Sequence, residues 1–402
     1  MRFLLVAANN SLSHLAKALA AQQALVARGH EARIAVSRDR APFLERLGEA
    51  HFILPDIQEA DHAGLPTVAW FRKPERMVEC IRAEVDLIGR YRPDRVLGVF
   101  RFTSKPAAEL AAVPYDSLVC GCMLLECRDA LGFVAGEVGA GQQLAYLEGF
   151  YRYAGAQSSK ALRSLGLPAV RDVRELLSGE RTLLWDFPEF LPLPARPGLQ
   201  HVGPPFWRGW PYDPLDIETL RDDARPLAVV GFGTCIGCGA AVERVVRALL
   251  AAQYRVLFAA GGQKDLLAAV PADPAVTVCG FAPMHQILPH ASLLVCHGGQ
   301  LSVFEALRHS VPVVVMPFQP EQAHNGVCLE RIGCGGRLVP PQPFLGDSLV
   351  FVRALERMTE DELGCRIREL THGPEQGPRL EAARATIERY QRLDTLASVL
   401  AT

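Results

Sequence analysis

The 402-residue chain is short of the features that mark several protein classes. No apolar run reaches membrane-spanning length without meeting a charge or a turn residue. The opening run, residues 3–8, gives way to Asn9-Asn10-Ser11 and is short even for a secretory leader, so a soluble protein without a membrane span is expected. Neither sign of charge dominates: 42 Lys and Arg against 44 Asp and Glu leave a net charge of −2. Nucleic acid and anionic lipid are therefore not expected as partners. A disulfide framework is lacking too. The 11 cysteines are odd in number, scattered, and mostly set in apolar runs such as Leu294-Val295-Cys296, which fits reduced thiols and a cytoplasmic location. The single CxxC, Cys235 to Cys238, has no second pair and no nearby histidines, so no metal site is expected there. It reads as small residues in a loop or as a dithiol at a helix start. There is no low-complexity tract and no repeat beyond a duplication of two halves.

What is present suffices for two domains with full cores. In the first half, apolar strands (3–8, 32–36, 95–100, 115–120) alternate with helical periodicity (12–28, 74–91, 104–112). Gly29 stops the first helix. Seven prolines crowd 192–214, a density that suits a semi-rigid linker rather than a helix or central strand. Alternation then restarts, with strands at 227–231, 254–259, 276–279, 293–296 and 311–316 and helices at 240–252, 302–308 and 322–331. Residues 378–400 read as a final helix. The expected architecture is α/β, two doubly wound parallel-sheet domains with ligands at the carboxyl ends of the strands.

The densest chemistry lies in His297-Gly298-Gly299-Gln300-Leu301-Ser302, Glu305, and Pro317-Phe318-Gln319-Pro320-Glu321-Gln322. A helix opening at Gly298-Gly299 offers unpartnered N–H groups and the positive end of its dipole to a diphosphate, with a hydroxyl from Ser302 in the first turn. Glu321 and Gln322 together suit vicinal hydroxyls. His14, just after the first strand, titrates near neutrality and suits a general base. The aromatics Trp70, Phe71, Phe133, Tyr146, Phe150, Tyr151 and Tyr153 fall in irregular insertions of the first half, where they would wall a pocket or simply pack as core. Arg101 and Arg128 would either face a polar acceptor or, the favoured reading, lie on solvated faces.

In order along the chain stand Ser13-His14, Arg28-Gly29-His30-Glu31, Arg92-Pro93-Asp94, Gly166-Leu167-Pro168, Asp186-Phe187-Pro188-Glu189, His201-Val202-Gly203-Pro204, Gly231-Phe232-Gly233-Thr234, Gly280-Phe281-Ala282-Pro283 and the 297–322 run. This ordered set resembles the nucleotide-sugar-dependent glycosyltransferases with two Rossmann-like domains facing across a cleft, the GT-B fold of family 1 type, and within it the group that decorates natural products. The resemblance covers nearly the whole chain. It implies an acceptor-binding domain at 1–200, the linker at 201–222, a nucleotide-sugar-binding domain at 223–378, and a last helix, 379–402, crossing back to the first domain. It further implies that His14 is the catalytic base. Gly233, Thr234 and His297 would face the diphosphate or ribose, and Phe281 and Ala282 the base. Glu305 would reach the ribose hydroxyls, and Glu321 and Gln322 the sugar. The donor would be a UDP- or dTDP-hexose used as co-substrate, with no cofactor; a homodimer stays open.

The sequence departs from that family at three places near His14. Serine precedes the histidine where glycine is usual, and Ser13 is read as the helix N-cap. Lys17 replaces a proline. Val99 stands where the family's aspartate would orient the imidazole, and valine can neither fix its tautomer nor stabilise an imidazolium. Three outcomes follow: Asp116 or Glu126 substitutes, the acceptor is acidic enough to need little help, or the protein is weak or inactive. The expected activity is inverting, metal-independent transfer of a hexose to a hydroxyl of a small apolar or aromatic molecule. The rivals are a nucleotide-sugar-binding auxiliary protein without turnover and, less favoured for want of an acid pair at the strand ends, a nucleotide-sugar epimerase.

Overall fold

The computed structural model describes residues 1–58, 67–217, 220, 225–233, 238–347, 349–392 and 394–401. The chain forms two compact units. The first comprises Met1–Arg128, Ala145–Gly209 and Tyr390–Thr402, the second Asp129–Leu144 and Trp210–Arg389.

The first unit holds strands β1 (Arg2–Ala7), β2 (Glu31–Val36), β3 (His51–Ile53), β4 (Arg95–Val99), β5 (Tyr115–Val119), β6 (Arg181–Leu184) and β7 (Leu199–His201). They lie in the order β3-β2-β1-β4-β5-β6-β7, all pairs parallel. The apolar run of β1 is buried from Phe3 to Ala7, as an inner parallel strand covered on both faces must be. The helix Leu12–Val26 follows, capped by Ser11, whose hydroxyl accepts from the Ser13 N–H at 3.1 Å. The cap therefore sits two residues before the expected Ser13. Helix Pro74–Tyr91 begins on proline at N1 and ends on Arg92 in the left-handed region, φ 53°. Asp94 accepts from the Arg2 N–H at 2.6 Å and ties the entrance of β4 to that of β1.

The second unit holds β8 (Leu227–Gly231), β9 (Arg255–Ala259), β10 (Val276–Cys279), β11 (Leu293–Cys296), β12 (Val313–Val315) and β13 (Gly335–Arg337), in the order β10-β9-β8-β11-β12-β13, again parallel. Its core gathers Val230, Phe232, Phe258, Val295, Val314 and Met316 with the Gly239–Ala251 helix residues Val242, Val245 and Leu249. Residues 129–144, read with the first half in the sequence, belong to this unit. Arg337 holds them: its guanidinium donates to the Gly132 carbonyl at 2.8 Å and to both Glu137 oxygens at 2.9 Å.

The proline-rich 201–222 stretch divides between Gly209 and Trp210. On the first unit, the Gln391 amide donates to the Pro204 carbonyl at 2.8 Å. On the second, Tyr212 stacks on Phe281. The final helical region is two helices, Gln376–Arg392 and Thr395–Leu400, with Asp394 at φ 45° before the second.

Candidate functional site

In the second unit the site is built at the carboxyl ends of β8 and β11. Gly233, two residues past β8, has φ 69°, and Gly298, two past β11, has φ 88°, backbone that L side chains rarely adopt. A Cβ on Gly298 would also lie 2.7 Å from the Gln322 carbonyl oxygen. A Cβ on Gly233 would come 2.8 Å from His297 Cε1, and one on Gly299 would strike His297 Nε2. The imidazole thus lies across two glycine Cα atoms, and both glycines are required for it to do so. Asn325 Nδ2 donates to the Gly298 carbonyl at 2.8 Å and fixes the turn. Gly299 is then the N-cap of the helix Gln300–Arg308, whose first N–H groups lack internal partners. Ser302 sits half-buried in the first turn. Thr234 lies outside the described residues, as do Cys235, Ile236 and Gly237.

Burial pushes the His297 imidazole down to about 4, against a hydrogen bond to the Gly231 backbone that pulls it upward. Its Nδ1 has no hydrogen-bond partner among the described residues. The ring is therefore neutral near pH 7 and able to donate or accept toward a ligand. Because the folded value lies below the unfolded one, the unfolded chain binds the extra proton first. The stability held by neutral His297 is present above pH 6.5 and is lost as pH falls toward 4. Its share of that loss between pH 7 and pH 5 is expected to be about 2 kcal/mol. Thermal melts across that range, compared with His297→Gln, check it; equal slopes for the two proteins would refute it.

The remaining donor candidates are more constrained than the sequence suggests. Gln322, third residue of the helix Pro320–Ile332, accepts from the Phe318 N–H at 2.9 Å, leaving its NH₂ to donate outward. Glu321 is half-buried in the same first turn. Glu305 is 8% exposed, and its carboxylate lies 3.3 Å from His309 Nε2. The Phe281 N–H donates to Asp213 at 2.8 Å and its carbonyl accepts the Asp213 N–H at 2.9 Å, so both main-chain groups are used within the chain. The Phe281 ring stacks on Tyr212 with centroids 5.8 Å apart. Ala282 accepts from the Met284 N–H at 2.9 Å.

In the first unit His14 is 7% exposed on the first turn of the Leu12–Val26 helix. Its ring stacks on Phe100, centroids 4.9 Å apart at 14°, and tilts against Trp185 at 5.8 Å. The side chain at the end of β4 that touches His14 is thus Phe100, one residue beyond the expected Val99, which is buried within the strand. Burial first, then the charges of Lys17 and Arg40, hold the His14 pKa well below the ordinary histidine value. Lys17 is buried, with its ammonium 4.1 Å from the Trp185 ring centroid.

Neither suggested substitute carboxylate serves His14. Asp116 accepts from Arg95 at 2.8 and 2.9 Å and from Arg181 at 3.0 Å; burial opposes its charge, but these bonds outweigh burial and lower its pKa. Glu126 is paired with Arg196.

Phe71 packs edge-on against Phe102 at 5.3 Å and against Phe150 at 6.3 Å, and Phe102 against Phe100 at 5.6 Å. A continuous aromatic path therefore leads from His14 to Phe150. Phe102 and Trp185 were not singled out in the sequence, because their contacts join segments far apart in the chain. Tyr146, Phe150, Tyr151 and Tyr153 lie on a regular helix, Ala140–Ser164, rather than in irregular insertions. Trp70 ends buried at its Nε1, without a partner among the described residues. Phe133 belongs to the second unit.

Comparison with known proteins bears on this geometry. Residues 244–366 match the family described as erythromycin biosynthesis protein CIII-like, C-terminal domain. A PGL/p-HBAD biosynthesis rhamnosyltransferase of Mycobacterium bovis (strain BCG / Pasteur 1173P2) is 27% identical over 350 residues, 83% of this chain and 76% of the relative. The crystal structure of the kitacinnamycin glycotransferase superposes with a TM-score of 0.74 at 18% identity, covering 97% of this chain and 95% of that one. The spinosyn rhamnosyltransferase complexed with thymidine diphosphate gives 0.68 at 17% identity, covering 97% and 96%. Both structural likenesses concern the fold.

Proposed function

We propose that the chain, similar in sequence and fold to GT-B glycosyltransferases of the family 1 type, is an inverting, metal-independent enzyme of the cytoplasm that moves a hexose from a dTDP- or UDP-sugar to a hydroxyl of a small apolar or aromatic acceptor. The observation that carries the donor half is the His297-Gly298-Gly299 turn. It sets the open N-terminus of the Gln300–Arg308 helix beside a neutral imidazole. N–H groups and helix dipole stabilise the charge that develops on the leaving diphosphate, which is the role a metal ion fills elsewhere. Glu321 and the outward NH₂ of Gln322 hold sugar hydroxyls. His14 takes the acceptor proton in a single displacement, which inverts the anomeric centre. The bound thymidine diphosphate of the spinosyn enzyme supports a nucleoside-diphosphate donor.

Calorimetry with dTDP, UDP and GDP tests the donor half. dTDP or UDP is expected to bind and GDP not. Gly298→Ala is expected to weaken binding at least tenfold, on the order of 1.4 kcal/mol, because its Cβ meets the Gln322 carbonyl in a left-handed turn. Turnover of the binding nucleotide-sugar, undiminished by EDTA, is the second measurement. Binding without turnover on any acceptor would favour the auxiliary-protein reading, and absence of binding would end both.

A further inference from the structure

His14 is badly placed to hold a proton. Its ring lies flat on Phe100 and against Trp185, and its buried Nδ1 has no hydrogen-bond partner among the described residues. The buried ammonium of Lys17 sits one helical turn away, over Trp185. Phe100 itself is in an unusual state. Its φ of 53° is backbone that a bulky side chain rarely adopts and that Asp or Asn takes several-fold more readily. The strand end that touches the imidazole is thus shaped for a short polar residue and carries a phenyl ring.

We infer that this chain glycosylates acidic hydroxyls, phenols in particular, in preference to aliphatic alcohols, and that Phe100 is the positioning residue that sets this preference. The inference rests on the proposed transfer reaction. In that reaction the acceptor O–H bond breaks, its proton passes to His14, and the oxygen's electron pair forms the new bond to C1. The bond from C1 to the diphosphate oxygen breaks, and its pair leaves on the phosphate. An aliphatic alcohol, about as weakly acidic as water, keeps its proton until the imidazolium must form. That cation would arise between two aromatic rings, with an ammonium nearby and no carboxylate among the described residues that raises its pKa. A phenol, at about 10, gives up its proton with far less help. The rings of Phe100, Phe102 and Phe71 are buried and pack on one another from His14 toward Phe150, so the surroundings of the imidazole are apolar.

The test uses the full chain with whichever dTDP- or UDP-hexose turns over in the donor screen. Acceptors are 4-nitrophenol, 4-cyanophenol, phenol and cyclohexanol. For wild type, kcat/KM is expected to fall as acceptor pKa rises, with cyclohexanol at least a hundredfold below phenol. Phe100→Asp is expected to raise cyclohexanol transfer at least tenfold and flatten the dependence on phenol pKa, whereas Phe100→Leu does neither. A merely structural role would scale all acceptors alike. Cyclohexanol within tenfold of phenol in wild type overturns the inference, as does a folded, dTDP-binding Phe100→Asp protein with an unchanged alcohol-to-phenol ratio. If Phe100→Asp does not fold, the wild-type series decides alone. Failure of the transfer reading shows separately, as no turnover with any acceptor in the donor screen.

Discussion

Arg101→Met is expected to destabilise the first unit by about 3–5 kcal/mol, since it strands buried carboxylates without their cation. Arg101 is 2% exposed. Its guanidinium donates to Glu84 at 3.0 Å, to the Thr103 hydroxyl at 2.9 Å and to the Pro55 carbonyl at 2.6 Å, and it pairs with Asp56. Ser104 adds a bond to Glu84 at 2.7 Å, and the Asn9 N–H one to Asp56 at 2.8 Å. Burial works against the guanidinium's charge, but Asp56 and Glu84 outweigh it and raise its pKa. The network ties the loop after β1 to the loop after β4, the two that flank His14 and Phe100. Urea unfolding should show a lower midpoint, with activity falling alongside. Arg101→Met combined with Glu84→Gln and Asp56→Asn should recover much of the loss, because no uncompensated charge remains. A single variant as stable as wild type would mean the carboxylates reach solvent or protonate at little cost.

That network also shows where the sequence was legible and where it was not. Inner parallel strands buried on both faces leave uninterrupted apolar runs, and 227–231 and 293–296 match their strands to the residue. The edge strand 276–279 matches too, although Thr277 and Val278 are exposed, while the inner strand Arg181–Leu184 escaped because it is only four residues long and opens on Arg and Thr. The short edge strands β3, β7 and β13 escaped, since His51-Phe52-Ile53 or Gly335-Gly336-Arg337 carries no period to detect. The Ala140–Ser164 helix was hidden by its mixed polarity over 25 residues. In the site, glycines announced themselves, because the turn chemistry of Gly298 and Gly299 is local. The surroundings of His14 did not. Phe100, Trp185 and Lys17 meet there from three separated segments, and Arg101 was read as solvated because its partners Asp56 and Glu84 lie far off in sequence. Val99 drew attention one residue early, as the positive φ that turns Phe100 toward the imidazole cannot be seen in a run of letters.

His14→Ala is expected to lower kcat about 10²–10³-fold for phenol, within the range of a lost general base, while leaving dTDP affinity unchanged. Dissociation constants should not move because the proposed diphosphate contacts come from the glycine turn and the start of the Gln300–Arg308 helix and not from the His14 imidazole. With 4-nitrophenol, largely ionised before it binds at pH 8, the same variant should lose less than tenfold. The contrast follows from what the histidine supplies, which is a place for a proton and not a contact to the donor. A uniform loss across all phenols would instead assign His14 to acceptor positioning. The pH profile adds a second constraint. Burial and the charges of Lys17 and Arg40 lower its pKa, so His14 stays in its basic form well below pH 6.5, and the wild-type rate should hold on acidification longer than an ordinary histidine allows. Phe100→Asp, by placing a carboxylate beside the ring, should raise that pKa and move the acid limb of the profile upward. A histidine poised to stay neutral accepts a proton only from a partner already willing to release it, and in this pocket the acceptor's own acidity does the work that an aspartate would otherwise share.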